Sequence, residues 1–214
     1  MLADARIRDD VLEELDFEPS IEATGIGVAV KDGVVTLSGH VPSYAQKMGA
    51  ELAAQRVKGV KAVAMDIEVR LAGDAKRADD EIAERAVNIL RWSAGIGERV
   101  KAVVESGWVK LSGEVEYYYQ KQAAERAIRQ LSGVIGVSNL ISVKAGVRPT
   151  DVKERISKAF QRSAQLDSAS ITVDVAGSAV TLSGRVKAWH ERKLAEDAAW
   201  AIPGVTAVDD NITI

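Results

Sequence analysis

The stretch Thr36-Leu37-Ser38-Gly39 decides the fold, because it recurs twice further along a chain of 214 residues. A second marker, Lys58-Gly59-Val60, recurs with it at the same spacing. The later copies are Lys110-Leu111-Ser112-Gly113 with Ser132-Gly133-Val134, and Thr181-Leu182-Ser183-Gly184 with Pro203-Gly204-Val205. Both markers are offset by 74 and then by 71 residues, and two markers that share both offsets indicate an internal repeat. The sequence therefore predicts three tandem domains, at residues 1–71, 76–146 and 149–214.

Each repeat shows the same succession of patterns. Its first segment has apolar residues four positions apart, which predicts an amphipathic helix. A strand, a two-residue turn with glycine and an alternating second strand follow, and this combination predicts a hairpin with one apolar face. A helix with alanines on its inner face then runs to the glycine of the second marker, and an alternating strand ends the repeat. The helical positions are Ile7, Val11 and Leu15; Ile82, Ala86 and Leu90; and Val152, Ile156 and Phe160. The turns are Asp32-Gly33, Ser106-Gly107 and Gly177-Ser178.

The order of elements is therefore αββαβ in each repeat, which is an α+β fold. The second helix connects the second and third strands as a crossover, so these strands should be parallel, beside an antiparallel hairpin. We expect two helices on one face of a mixed three-stranded sheet.

The composition excludes several classes of protein. With no cysteine the chain has no disulfide or thiolate site, and its net charge of -3 argues against a nucleic-acid-binding protein. No apolar run is long enough for a transmembrane segment. The N-terminal residues lack the apolar region of a signal peptide, so we expect a cytoplasmic protein, or a periplasmic one if a signal peptide has been removed.

The residues that could carry chemistry do not form a catalytic pattern. His40 and His190 occupy different positions in their repeats, so they do not form a repeated ligand pair. The serines of the first marker lie within a predicted strand rather than at a strand-to-helix turn, where a nucleophile would be expected. The marker glycines Gly39, Gly113 and Gly184 indicate a bulge or a close approach by a helix. We therefore predict no enzymatic activity, no metal site and no cofactor.

These motifs resemble those of the BON (bacterial OsmY and nodulation) domain. The shared features are a hairpin glycine, a Val-x-Leu-x-Gly-x-Val strand, an alanine-rich helix, a Gly-Val pair and an Asn-x-Ile ending. The matching stretches are residues 33–41, 60–63 and 210–214, and the resemblance extends over essentially the whole chain. It implies a non-catalytic role in phospholipid binding, the cell envelope or osmotic stress. Because no signal peptide or lipobox cysteine is recognised, the chain resembles the cytoplasmic subgroup of proteins with three tandem BON domains.

The second repeat holds the candidate contact residues. Residues 1–72 carry 8 basic and 12 acidic side chains, whereas residues 73–146 carry 11 and 10. The second repeat also combines aromatic and basic residues, as interfacial membrane contacts do. The candidates for contact with a membrane or partner are Trp108, Lys110, Tyr117, Tyr119, Lys121, Arg91 and Trp92. We expect one end of the domain to present Trp108 together with Tyr117 and Tyr119.

Packing can also explain part of this aromatic content. Tyr118 aligns with Tyr44 and Trp189, which suggests a structural role, and Trp92 aligns with Phe17, which suggests a cap on the core. Packing between repeats competes with surface function for the whole cluster.

Three functions remain open from the sequence. The first is binding to anionic phospholipid or membrane-linked proteins under stress. The second is sensing of a small ion or ligand, which the resemblance implies because one cytoplasmic relative binds potassium. The third is a structural adaptor that binds a protein partner or self-associates, with an undetermined oligomeric state.

Overall fold

The structure is a computed structural model that describes residues 2–73, 76–92, 96, 99–145, 151–163 and 170–214. It contains the predicted αββαβ order three times. The first repeat comprises α1 (Leu2–Phe17), β1 (Ile26–Lys31), β2 (Val34–Val41), α2 (Tyr44–Arg56) and β3 (Ala62–Val69), with a short 3₁₀ turn at Ala23–Gly25. The second comprises α3 (Asp79–Trp92), β4 (Val100–Glu105), β5 (Trp108–Val115), α4 (Tyr118–Arg129) and β6 (Gly136–Val143). The third comprises α5 (Val152–Arg162), β7 (Ile171–Ala176), β8 (Ala179–Arg185), α6 (Trp189–Trp200) and β9 (Ala207–Thr213).

The sheets have the predicted mixed topology. Each repeat forms a three-stranded sheet in which the strands follow sequence order. β1 is antiparallel to β2, with Val28 opposite Leu37, and β2 is parallel to β3, with Val35 opposite Val63. The third repeat has the same arrangement in β7, β8 and β9. The prediction of an α+β fold with three mixed sheets is therefore confirmed.

In the first and third repeats the core lies between the helices and one face of the sheet. In the first repeat Val11 and Leu15 of α1 pack with Leu37 of β2 and with Ala50 and Ala53 of α2. The small alanines let α2 lie close to the sheet, because short side chains reduce the distance between packed elements. The corresponding core of the third repeat includes the following buried residues: Val152, Ile156, Phe160, Val180, Leu182, Ala195 and Ala199. Eight of the nine helix positions named from the sequence are buried, and the ninth, Ile7, is partly buried against the core.

The three hairpin turns use the φ angles that their sequences allow. Asp32 and Gly33 have φ values of 55° and 81°, and Ser106 and Gly107 have values of 50° and 79°. Two successive positive φ angles fit a type I′ turn. In the third hairpin Gly177 has a φ of 63° while Ser178 is not left-handed, which fits a type II′ turn with glycine first.

The glycine of the Leu-Ser-Gly marker is required by a close backbone contact. Gly113 has a φ of 137°, and a Cβ atom at this position would overlap the carbonyl oxygen of Arg99. Gly39 and Gly184 meet the carbonyl oxygens of Gly25 and Ser170 in the same way. The approaching group is thus the backbone just before the hairpin, which in the first repeat is the end of the 3₁₀ turn at Ala23–Gly25.

By their internal contacts the residues group into two compact units. The first consists of residues 1–86, 104–109 and 128–137, and the second of residues 87–103, 110–127 and 138–214. Elements of the second repeat are therefore divided between the two units.

Candidate functional site

Two of the sequence candidates, Tyr117 and Tyr119, form an exposed aromatic pair where α4 begins. Their ring centroids are 5.7 Å apart with an interplanar angle of 22°, and the residues are 40% and 56% exposed. Gln120 holds the turn before the helix, because its side-chain oxygen accepts hydrogen bonds of 3.1 Å from the backbone N–H groups of Glu116 and Tyr117. Gln120 is itself buried, so it fixes the backbone that presents the two rings to solvent.

Tyr118, between these two residues, points into packing between the second and third repeats. Its ring stacks on that of Trp200, the last residue of α6, with centroids 3.9 Å apart and planes 10° apart. The indole N–H of Trp200 donates to Glu196 over 3.3 Å. Burial, and then the nearby Glu196 carboxylate, raise the pKa of the Tyr118 hydroxyl. The middle tyrosine therefore has the structural role suggested by its alignment with Tyr44 and Trp189.

The α6 surface beneath Tyr118 is charged and internally paired. Lys193 contacts Glu196 at 3.0 Å and Asp197 at 3.1 Å. Burial opposes protonation of Lys193, but the hydrogen bond and charge of Glu196, together with Asp197, outweigh it and raise the Lys193 pKa. Lys193 is consequently a positive charge that two carboxylates hold in place beside Tyr118.

The two candidate lysines differ in exposure. Lys110 is exposed on β5, whereas Lys121 is half-buried one turn into α4. The backbone carbonyl of Lys121 accepts a 3.0 Å hydrogen bond from the Asn139 side chain, which also donates to Glu125. Lys121 is thus the candidate cation nearest in sequence to the tyrosine pair, four residues after Tyr117.

Trp108 lies elsewhere in the repeat, as the first residue of β5. Its ring covers Gly136, since a Cβ atom at Gly136 would overlap the six-membered ring of the indole. Trp108 is nevertheless 48% exposed. The eight-residue strand β5, roughly 25 Å long at about 3.3 Å per residue, separates Trp108 from Tyr117. The expectation that one end of the domain presents all three aromatic residues is therefore wrong.

Arg91 and Trp92 are the last residues of α3, and both are exposed. Trp92 is 87% exposed, and the aligned Phe17 at the end of α1 is 83% exposed. Neither ring covers the core, so the core-capping interpretation of these two positions is wrong. The spacing of the helical pattern explains this result: both residues follow the last inward position, Leu15 or Leu90, by two, and that places them on another side of the helix.

Two aspartates bind the backbone of the hairpin turns, and the sequence patterns did not predict these contacts. Asp79, at the start of α3, accepts hydrogen bonds from the backbone N–H groups of Ser106 and Gly107 at 2.7 and 2.9 Å. Asp4 of α1 likewise accepts one from Gly33 at 3.0 Å. The signal was available, because each aspartate precedes the first core position of its helix by three residues. These carboxylates anchor the hairpin turn to the opening helix.

A metal site and a membrane span each have requirements that the described residues can meet or fail. Among these residues, no three histidine, cysteine, aspartate or glutamate side chains are grouped so that they could bind a metal ion. The described helices are also too short or too polar to cross a membrane. The arrangement of the candidate residues provides surfaces for contact.

The model of one protein family, described as the BON domain, matches residues 3–70, 78–145 and 150–214. The chain belongs to the BON-domain family. Among curated proteins it is similar to "Osmotically-inducible protein Y" of Escherichia coli (strain K12), with 33% identity over 146 residues, which are 66% of this chain and 73% of that protein.

Two solved structures of CdsD, described as a structural protein of the Type III secretion system of Chlamydia trachomatis, also match. Each is 14% identical with a TM-score of 0.27. One match covers 95% of this chain and 90% of that chain, and the other, of the C-terminal domain, covers 96% of each.

Proposed function

We propose that this BON-domain protein is a non-catalytic binding protein of the osmotic stress response that contacts anionic phospholipid through its second repeat. The similarity to an osmotically inducible protein supports the association with osmotic stress. The observation that carries the lipid contact is the exposed, stacked pair of Tyr117 and Tyr119. Neither residue is needed to fill a core, so the pair is available for contact.

The chemistry of this pair suits the boundary between lipid headgroups and acyl chains. A tyrosine ring is apolar along its body and polar at its hydroxyl, and such residues concentrate at membrane interfaces. Lys121 follows Tyr119 by two residues and belongs to the same compact unit as the pair. Each lysine near an anionic surface contributes about 1 kcal/mol, and salt screens that attraction. Binding should therefore require anionic lipid and should weaken as the salt concentration rises.

Vesicle flotation tests the proposal. The full chain is mixed at low salt with vesicles of phosphatidylglycerol and, separately, of phosphatidylcholine. We expect flotation with the first lipid alone. The double variant Tyr117→Ser/Tyr119→Ser should lose most of this flotation while keeping the circular dichroism and unfolding midpoint of the parent.

Phe17→Ser is the matched control, because it removes an exposed aromatic ring, at 83%, from the first repeat. This variant should float as the parent does. Failure of the parent to bind phosphatidylglycerol at low salt would refute lipid contact. Equal flotation of the double variant and the parent would refute the assignment to the tyrosine pair.

A further inference from the structure

The stack of Tyr118 on Trp200 defines a directional junction between successive repeats. Tyr118 is the first residue of the second helix of its repeat, and Trp200 is the last residue of the second helix of the next repeat. The start of one helix thus meets the end of the other. The two surfaces differ, so the junction is heterologous, and a heterologous junction can be extended by further copies.

Positions equivalent to the two sides of this junction occur in the third repeat and in the first repeat. The residue equivalent to Tyr118 in the third repeat is Trp189, which also begins its helix. The α6 positions beneath Tyr118 correspond to a set on α2 in the first repeat. The α2 residues equivalent to Lys193, Glu196, Asp197 and Trp200 are Met48, Glu51, Leu52 and Gln55.

The α2 set is suited to receiving an aromatic ring. Leu52 is 52% exposed although it is apolar, and Met48 beside it is partly exposed. The side-chain amide of Gln55 donates to Glu51 over 3.2 Å, as Trp200 donates to Glu196. The hydrogen bond of the junction is therefore preserved on α2, while the charged Lys193 and Asp197 are replaced by apolar side chains.

Contacts within the third repeat fix the orientation of Trp189, the proposed aromatic partner. The guanidinium of Arg192 lies 5.2 Å from the centre of the Trp189 ring, and Asp210 fixes that guanidinium through a 2.7 Å hydrogen bond. Trp189 retains partial exposure, although its indole N–H is buried and has no acceptor among the described residues. A rigid aromatic side chain loses little conformational entropy on association.

We propose that copies of this chain associate head to tail, with Trp189 at the start of α6 in one copy docking on Met48 and Leu52 of α2 in the next. This contact between two chains has the same arrangement as the contact between Tyr118 and Trp200, which joins the second and third repeats. Because the contact is small, it is weak and reversible. The association is independent of lipid binding, since Tyr117 and Tyr119 lie where α4 begins and take no part in the contact.

Sedimentation velocity of the full chain without lipid tests the inference. The weight-average mass should rise roughly two-fold between micromolar and millimolar chain concentrations, as for contacts at the small end of the interface range. Leu52→Glu and Trp189→Ser should each remain monomeric, and Trp189→Phe should associate like the parent. Val87→Glu is the matched control, because Val87 is a similarly exposed aliphatic residue, at 49%, on α3; this variant should also associate.

A mixing experiment distinguishes a head-to-tail contact from a symmetric one. Leu52→Glu keeps the Trp189 surface, and Trp189→Ser keeps the α2 surface, so their mixture should form a one-to-one dimer that grows no further. A parent that stays monomeric, or a mixture that stays monomeric while the parent dimerises, overturns the proposal. If Trp189→Ser does not fold, association of Leu52→Glu to the same extent as the parent is the overturning result.

Discussion

Removal of the Asp79 carboxylate should destabilise the second repeat by opening its hairpin turn. Asp79 accepts two backbone hydrogen bonds from the turn residues Ser106 and Gly107, at 2.7 and 2.9 Å. A hydrogen bond to a charged group contributes about 1.5–3 kcal/mol, and solvent exposure of the Ser106 bond reduces its share. We therefore expect Asp79→Ala to lower the free energy of unfolding by about 2–4 kcal/mol.

The turn itself adds a reason to expect a large effect. Ser106 has a φ of 50°, a left-handed value that is unfavourable for a residue other than glycine. The Asp79 carboxylate holds both amides of the turn in this conformation, so its loss should open the turn before the rest of the sheet. In the first repeat Asp4 likewise accepts a hydrogen bond from the Gly33 amide, so Asp4→Ala should destabilise the corresponding turn.

Two measurements on the full chain test this reasoning. Urea unfolding gives the change in stability, and native-state hydrogen exchange reports on individual amides. The Ser106 and Gly107 amides should lose protection in Asp79→Ala and keep part of it in Asp79→Asn, which retains one acceptor oxygen. Unchanged stability of Asp79→Ala, or unchanged exchange at both turn amides, would refute the explanation.

Two further predictions concern the junction and the marker glycine. Folding raises the pKa of Tyr118, so the unfolded chain loses this proton first, and the stability that Tyr118 contributes should be present below pH 10 and be lost as the pH rises through the folded pKa. In urea unfolding, Tyr118→Phe should remove this part of the decrease in stability at alkaline pH. An unchanged decrease would contradict the assignment. Gly113→Ala should destabilise the chain by at least about 3 kcal/mol in the same assay, because a non-glycine residue at positive φ that also overlaps a backbone carbonyl must distort the strand. Gly73→Ala is its control, since a Cβ there meets nothing within 4 Å, and similar losses for the two variants would contradict the steric argument.

The features that follow from periodicity were predictable because each of them is specified within a single repeat. Alternation in β2 places Val35 and Leu37 on the buried face, and the four-residue spacing in α5 buries Val152, Ile156 and Phe160. The turn pairs also determine their own φ angles. Local propensity and hydrophobic pattern agree at these positions, and such agreement makes a fold predictable from sequence.

The candidate site was only partly predictable, because a contact between repeats depends on residues that do not recur. Alignment of Tyr118 with Tyr44 and Trp189 indicates a shared structural position, but it does not identify the ring on which Tyr118 stacks. That ring belongs to Trp200, whose equivalents are Gln55 and Arg129. Three tyrosines in succession thus have two different environments, since a helix start turns neighbouring side chains in different directions. The repeat pattern specifies each domain, and the departures from it determine where domains and partners meet.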